Sequence, residues 1–273
     1  MKKIAIIPTL LTLGNGVCGF ASVAFASKID STPESQIYFA VTAWFIVAAM
    51  LFDALDGYAA RLSKSASEFG GQLDSLCDAI SFGLAPAFLL LRLGREWESP
   101  LVRQSIAVIA ALYMVCAILR LARFNVENSP DPASHKRFKG LPSPAAAGCV
   151  ISFAILRGEL ANNWAHLDDD FIRALVRVTA PVGTLFVALL MVSRIPFPHL
   201  TKRILRGRRQ FSYLVQIIVA VFTLALVREL ALIVIFWAYA LSMPIWYLLN
   251  RRLRARSLST ASLEEQQPRS SST

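Results

Sequence analysis

The apolar residues of this chain come in successive blocks of about 20, the length a helix needs to cross a hydrocarbon core of about 30 Å. Lipid offers no water to backbone N–H and C=O groups, so each block must bond its own backbone, and a bundle of helices follows. The blocks fall at residues 5–26, 37–60, 71–91, 102–122, 143–158, 174–193, 211–227 and 230–249. The expected fold is therefore all-α: a polytopic integral membrane bundle of about eight transmembrane helices. Composition agrees, with 17% charged residues where soluble domains carry about 25%.

A net charge of +10 invites a nucleic-acid reading, but the placement of the charges opposes it. With the N-terminus in the cytoplasm, 20 of the 28 Lys and Arg residues fall on the inner side and 8 on the outer. This is the positive-inside asymmetry, and it accounts for the basic character without any nucleic acid. The run Arg251, Arg252, Arg254 and Arg256 is suited to anionic headgroups of membrane lipids. Both termini are expected to be cytoplasmic.

Lys2 and Lys3 precede an apolar run ending Ala24-Phe25-Ala26, which imitates a cleavable signal. Pro8, Thr9, Thr12 and Asn15 interrupt that run, and it is long enough to span, so it reads as the first helix. Residues 1–193 are expected to form a six-helix core, and 194–250 a basic loop with a two-helix hairpin. Residues 251–273 read as a basic, then polar, disordered tail. Cys18, Cys77, Cys116 and Cys149 all lie inside spans and read as small packing residues, not a disulfide framework. His135, His166 and His199 are scattered in loops without ligand spacing and receive no chemistry.

The chemistry concentrates in the second and third spans. Asp53, Asp56, Asp74 and Asp78 lie within apolar segments, where a carboxylate costs about 2.5–3.5 kcal/mol and therefore faces the bundle interior. Asp53 and Asp56 are spaced i, i+3, and Asp74 and Asp78 i, i+4, so each pair shares one face of its helix. A short connection makes the two helices antiparallel neighbours whose faces can meet. Counting from Arg61 at the inner end, Asp56 sits about 7.5 Å and Asp53 about 12 Å deep at 1.5 Å per residue. Four clustered carboxylates require positive charge among them, and two divalent ions would supply it; hard oxygen ligands suit Mg²⁺ or Mn²⁺. Paired metals favour displacement at phosphorus. Gly57 and Ala60, with Gly70 and Gly71, allow close approach of a ligand or a helix. Arg61 offers a fork of donors suited to phosphate. The same carboxylates also fit a cation relay in an ion-coupled transporter, or ion pairs with Arg61 and Lys64.

The pattern Asp53-x2-Asp56-Gly57-x2-Ala60-Arg61-x8-Gly70-x3-Asp74-x3-Asp78 resembles the complete signature of the CDP-alcohol phosphatidyltransferase family. Eight fixed positions across 26 residues match it. The resemblance implies that Asp53, Asp56 and Asp74 bind metal, and that Asp78 binds metal and activates the acceptor hydroxyl. It implies that Gly57, Arg61 and Ser67 hold the CDP moiety of CDP-diacylglycerol. It also implies a homodimer.

The signature alone admits serine, inositol phosphate, glycerol phosphate or choline-type acceptors. The opening Ile7-Pro8-Thr9-Leu10-Leu11-Thr12-Leu13-Gly14-Asn15, followed by Cys18-Gly19-Phe20, is similar to that of bacterial serine-using members, which often carry Asn where Thr9 stands. Ser67-Glu68-Phe69-Gly70, Ser81-Phe82-Gly83-Leu84-Ala85-Pro86, Arg120-Leu121-Ala122-Arg123-Phe124-Asn125 and Gly140-Leu141-Pro142-Ser143-Pro144 resemble the same branch. L-serine is the implied acceptor and the bacterial inner membrane the implied location, with the active site at the cytoplasmic leaflet. Independently, Arg120 and Arg123 are i, i+3 at the inner end of the fourth span, where they suit an anionic group, with Asn125 nearby. Interfacial anchoring of the helix explains both arginines equally well. Cations would also suit a glycerol phosphate or inositol phosphate acceptor.

Overall fold

The computed structural model describes residues 6–30, 32, 35, 37–62, 67–97, 99–127, 140–160, 169–195 and 232–246. Regular structure among them is entirely helical. Five helices among the described residues are long and apolar enough to cross a membrane: Ile6–Ser27, Ile37–Ala60, Glu68–Leu93, Pro100–Val126 and Ala174–Val192. Two shorter apolar helices, Ser143–Gly158 and Leu232–Trp246, fall where the fifth and eighth blocks were expected. The block at 211–227 lies outside the described residues, as do His135, His166 and His199.

Helix α1 (Ile6–Ser27) shows why such a chain belongs in lipid. Its buried residues Thr12, Asn15, Gly19, Ser22 and Ala26 recur at alternating steps of three and four. Ile6, Leu10, Leu13, Val17 and Phe20 form the exposed stripe opposite. The small and polar face is inside and the apolar face outside, the reverse of a helix in water. The inner stripe lies along α2 (Ile37–Leu62), where the Ser22 hydroxyl donates to the Thr42 carbonyl at 3.2 Å.

A short connection turns α2 into α3 (Glu68–Asp78). Ser67, in extended geometry, caps α3 by accepting the Gly70 N–H at 3.0 Å, and Glu68 sits in the first turn beside the positive helix end. The cap starts this span three residues before the apolar block at 71–91. The span then passes through a π-helical stretch, Ala79–Leu84, into α4 (Ala85–Leu93). Pro86 has no N–H to return to the preceding turn. The Phe82 carbonyl there instead accepts the buried Tyr113 hydroxyl of α5 (Pro100–Glu127) at 3.0 Å.

Helix α6 (Ser143–Ile155) is the centre of the bundle, with every residue from Ala146 to Ile155 buried. Gly140 leads into it at φ 94°, a conformation glycine adopts without a Cβ penalty. A Cβ there would stand 2.2 Å from the Met191 carbonyl oxygen. This close approach lets the Gly140 and Leu141 N–H groups donate to Ile195 and Leu190, at the end of α7 (Asp169–Val192). The four cysteines are free thiols, three of them buried, as packing residues should be. The last described helix is α8 (Leu232–Trp246).

Candidate active site

The site forms where α1, α2 and α3 meet. Asp53, Asp56 and Asp74 each present a carboxylate oxygen within 4.8 Å of the others. The two helix faces expected from the i, i+3 and i, i+4 spacings therefore do converge. Beside these carboxylates opens a cleft of ≈ 200 Å³. Asp56, Gly57 and Ala60 of α2 line it, as do Ser67, Gly70, Gly71 and Asp74 around the start of α3. Pro8, Thr9 and Thr12 close it from α1. Small residues at Gly57, Ala60, Gly70 and Gly71 keep this volume open, which is the physical reason for them at these positions.

The carboxylates are held as well as gathered. The Thr12 hydroxyl donates to Asp56 Oδ2 at 2.7 Å. Asp78, one turn beyond Asp74, is buried deeper and accepts from Asn15 Nδ2 at 2.9 Å. It stands outside the trio that converges within 4.8 Å, yet remains in electrostatic reach of Asp53 and Asp74. Asn15 is itself anchored, since its carbonyl accepts the Ser81 hydroxyl at 2.9 Å. A Cβ on Gly19 would lie 2.3 Å from that Ser81 hydroxyl oxygen, so α1 reaches Asp78 only because residue 19 is glycine.

Asp74 Oδ1 is buried without a hydrogen-bond partner. A buried, unpaired carboxylate oxygen facing two further carboxylates is costly unless a cation satisfies it. The donor set is all oxygen, which fits a hard divalent ion such as Mg²⁺ or Mn²⁺. Three convergent carboxylates that could bind metal are thus present, and the fit is good.

The remaining expected residues fall in different places. Ser67 lines the cleft but spends its side chain on the α3 cap. Arg61 lies in the last turn of α2, and its side chain is outside the described residues. Arg120, on α5, is in electrostatic reach of both Asp78 and Asp53, donates to the Ser143 hydroxyl and lies over the Phe124 ring at 5.7 Å. Arg123 is half-buried one turn further along α5. Asn125 exchanges hydrogen bonds with Ser75, with Nδ2 donating to the hydroxyl at 2.9 Å. It therefore ties α5 to α3 next to Asp74.

Thr12 and Asn15 carry site roles that their sequence context obscures. In the sequence they appear as polar interruptions of an apolar run. Their i, i+3 spacing, continued by Gly19 and Ser22, is the available sign that they share the inward face.

A family model described as CDP-alcohol phosphatidyltransferase matches residues 5–182. The chain is similar to the CDP-diacylglycerol--serine O-phosphatidyltransferase of Helicobacter pylori, 32% identical over 204 residues, covering 74% of this chain and 76% of that protein. The Bacillus subtilis protein of the same description is 32% identical over 197 residues, covering 72% of this chain and 92% of the relative. That of Methanocaldococcus jannaschii is 31% identical over 204 residues, 75% and 79% respectively. The matched segment contains all four aspartates and the helices that assemble them, and the chain belongs to the CDP-alcohol phosphatidyltransferase family.

Proposed function

We propose that this chain transfers the phosphatidyl group of CDP-diacylglycerol to the hydroxyl of L-serine, giving phosphatidylserine and CMP. The observation that carries the reading is the convergence of Asp53, Asp56 and Asp74 beside a cleft in a membrane-embedded bundle. The names of the three relatives above support serine as the acceptor. Asp53, Asp56, Asp74 and Asp78 would hold two divalent ions, Mg²⁺ or Mn²⁺, whose charge neutralises the attacking and leaving oxygens at phosphorus.

The protein's own groups then divide the work. Gly57, Arg61 and Ser67 hold the CDP moiety at the cleft, while the acyl chains stay in lipid. Asp78, kept in place by Asn15, takes the proton of the serine hydroxyl. The serine oxygen bonds to the lipid-side phosphorus, the bond from that phosphorus to the bridging oxygen breaks, and CMP departs with the electron pair. Arg120 receives the serine carboxylate, with Arg123 adding a second cation and Asn125 fixing the helix that carries them.

The catalytic core is residues 1–193; 194–250 add a basic loop and hairpin, and 251–273 a cytoplasmic tail. The enzyme works as a homodimer in a bacterial inner membrane, with both termini cytoplasmic and the cleft open to the cytoplasmic leaflet. The 20-to-8 division of basic residues supports this orientation. An acceptor panel tests the substrate assignment. Purified protein with CDP-diacylglycerol and Mg²⁺ or Mn²⁺ should release CMP when serine is added. Release with glycerol phosphate or inositol phosphate, and none with serine, would reassign the acceptor.

A further inference from the structure

Helix α1 carries no carboxylate of its own, yet it holds one member of each carboxylate pair. The Thr12 hydroxyl donates to Asp56 of α2, and Asn15 Nδ2 donates to Asp78 of α3. The two polar residues are i, i+3 and share the inward face. Both are buried, Thr12 at 5% and Asn15 at 0% exposure, so water does not compete for these bonds. Close packing seats α1 at this depth. A Cβ on Gly14 would stand 3.1 Å from the Phe52 ring of α2, and one on Gly16 3.0 Å from Cys77 Sγ of α3. Phe52 and Cys77 directly precede Asp53 and Asp78.

A threonine hydroxyl has one proton to donate. Within a helix that proton often goes to the carbonyl one turn back, and for Thr12 that carbonyl is Pro8, at 3.0 Å. Asp56 Oδ2 is closer, at 2.7 Å, and a bond to a charged acceptor is about twice as strong as a neutral one. The proton therefore goes to Asp56. That bond takes one lone pair of the carboxylate and leaves the others for an ion. Thr12 and Asp56 both line the cleft, so the bond is made in the wall of the site itself.

We propose that Thr12 is a positioning residue for the metal site: its hydroxyl fixes the plane of the Asp56 carboxylate and so strengthens the binding of a divalent ion. This rests on the assignment of Mg²⁺ or Mn²⁺ to Asp53, Asp56 and Asp74 made above. A carboxylate free to rotate must be ordered when the ion arrives, whereas Asp56 is ordered beforehand by Thr12. Partners that orient a metal ligand in this way are worth about 10- to 100-fold in metal affinity. The first helix supplies no ligand, and through Thr12 it sets how tightly the ligands hold.

The test is Mn²⁺ binding to the full-length protein in detergent, without substrate, read from the loss of the free-ion EPR signal. Thr12→Val keeps the shape of the side chain and removes the hydroxyl, while Thr12→Ser keeps the hydroxyl and removes the methyl. Thr12→Val should raise the Mn²⁺ Kd about 10- to 100-fold, and Thr12→Ser should retain most of the wild-type affinity. A wild-type Kd in Thr12→Val would overturn the proposal. Equal losses in both variants would overturn it too, because packing and not the hydroxyl would then be responsible. The CDP-diacylglycerol KM at saturating Mn²⁺ is the second readout. A rise there with unaltered Mn²⁺ affinity would make Thr12 a substrate contact and count equally against the proposal. Failure of the metal assignment has its own signature: the wild-type protein would bind no Mn²⁺, and the role of Thr12 would fall with it.

Discussion

Asn15 Nδ2 donates to Asp78 Oδ1 at 2.9 Å, joining the first helix to the third across 63 residues of sequence. Asn15 is fully buried and its carbonyl is tied to Ser81, so it offers Asp78 one geometry. Asn15→Ala should therefore lower kcat about 10-fold or more, the loss of a hydrogen bond to a charged group. KM for CDP-diacylglycerol should change little, whereas a general loss of structure would lower both binding and expression. Asp78→Asn, which keeps shape but not basicity, should abolish turnover while leaving the unfolding temperature of the chelated protein unchanged. Substantial turnover in purified Asp78→Asn would place the base elsewhere.

Gly19 sits where a Cβ would lie 2.8 Å from the Ser81 Cα. Backbone at that distance cannot swing aside, so Gly19→Ala must push α1 away from the π-helical stretch that carries Ser81. Overpacking of this kind costs about 1–3 kcal/mol. Thermal unfolding in detergent should show a lower midpoint, accompanied by weaker activity, because Thr12 and Asn15 move with the helix. Gly71→Ala is the control, since a Cβ there meets nothing within 4 Å; it should leave the midpoint unchanged.

The convergence of Asp53, Asp56 and Asp74, with Asp74 Oδ1 unpaired, predicts that divalent metal stabilises the fold as well as supporting turnover. Adding Mg²⁺ or Mn²⁺ to chelated protein should raise the unfolding midpoint by mass action on the native state. Asp74→Asn should diminish that rise. Identical midpoints with and without metal would count against a metal site here.

Ser65, in the connection between α2 and α3 and outside the described residues, is expected on the cytoplasmic side. A single cysteine at Ser65, in a protein lacking Cys18, Cys77, Cys116 and Cys149, should resist impermeant thiol reagents in intact cells and react after lysis. Reaction in intact cells would invert the topology.

The sequence makes the backbone of this site legible because its constraints are local. Asp53 with Asp56 and Asp74 with Asp78 sit at helical spacings inside apolar segments, and a short connection leaves their faces little choice of partner. The positions of the five described helices long enough to cross a membrane follow for the same reason, apart from the capped start at Ser67. What the sequence conceals is tertiary. Asn15 and Thr12 look like flaws in an apolar run until their partners arrive from α3 and α2. The hydrogen bonds that Asn125 exchanges with Ser75 reach across 50 residues of sequence. The π-helical stretch at Ala79–Leu84, and the Tyr113 hydroxyl that the Phe82 carbonyl accepts there, are encoded by no helical period.

The central claim is settled most directly by following label from serine into lipid. Purified protein in vesicles, given labelled L-serine, CDP-diacylglycerol and Mg²⁺ or Mn²⁺, should form labelled phosphatidylserine and release CMP in equal amounts. Omitting the nucleotide-lipid, or adding excess chelator, should abolish both products. Label entering lipid without CDP-diacylglycerol, or CMP release that leaves serine unlabelled in the lipid fraction, would contradict the account.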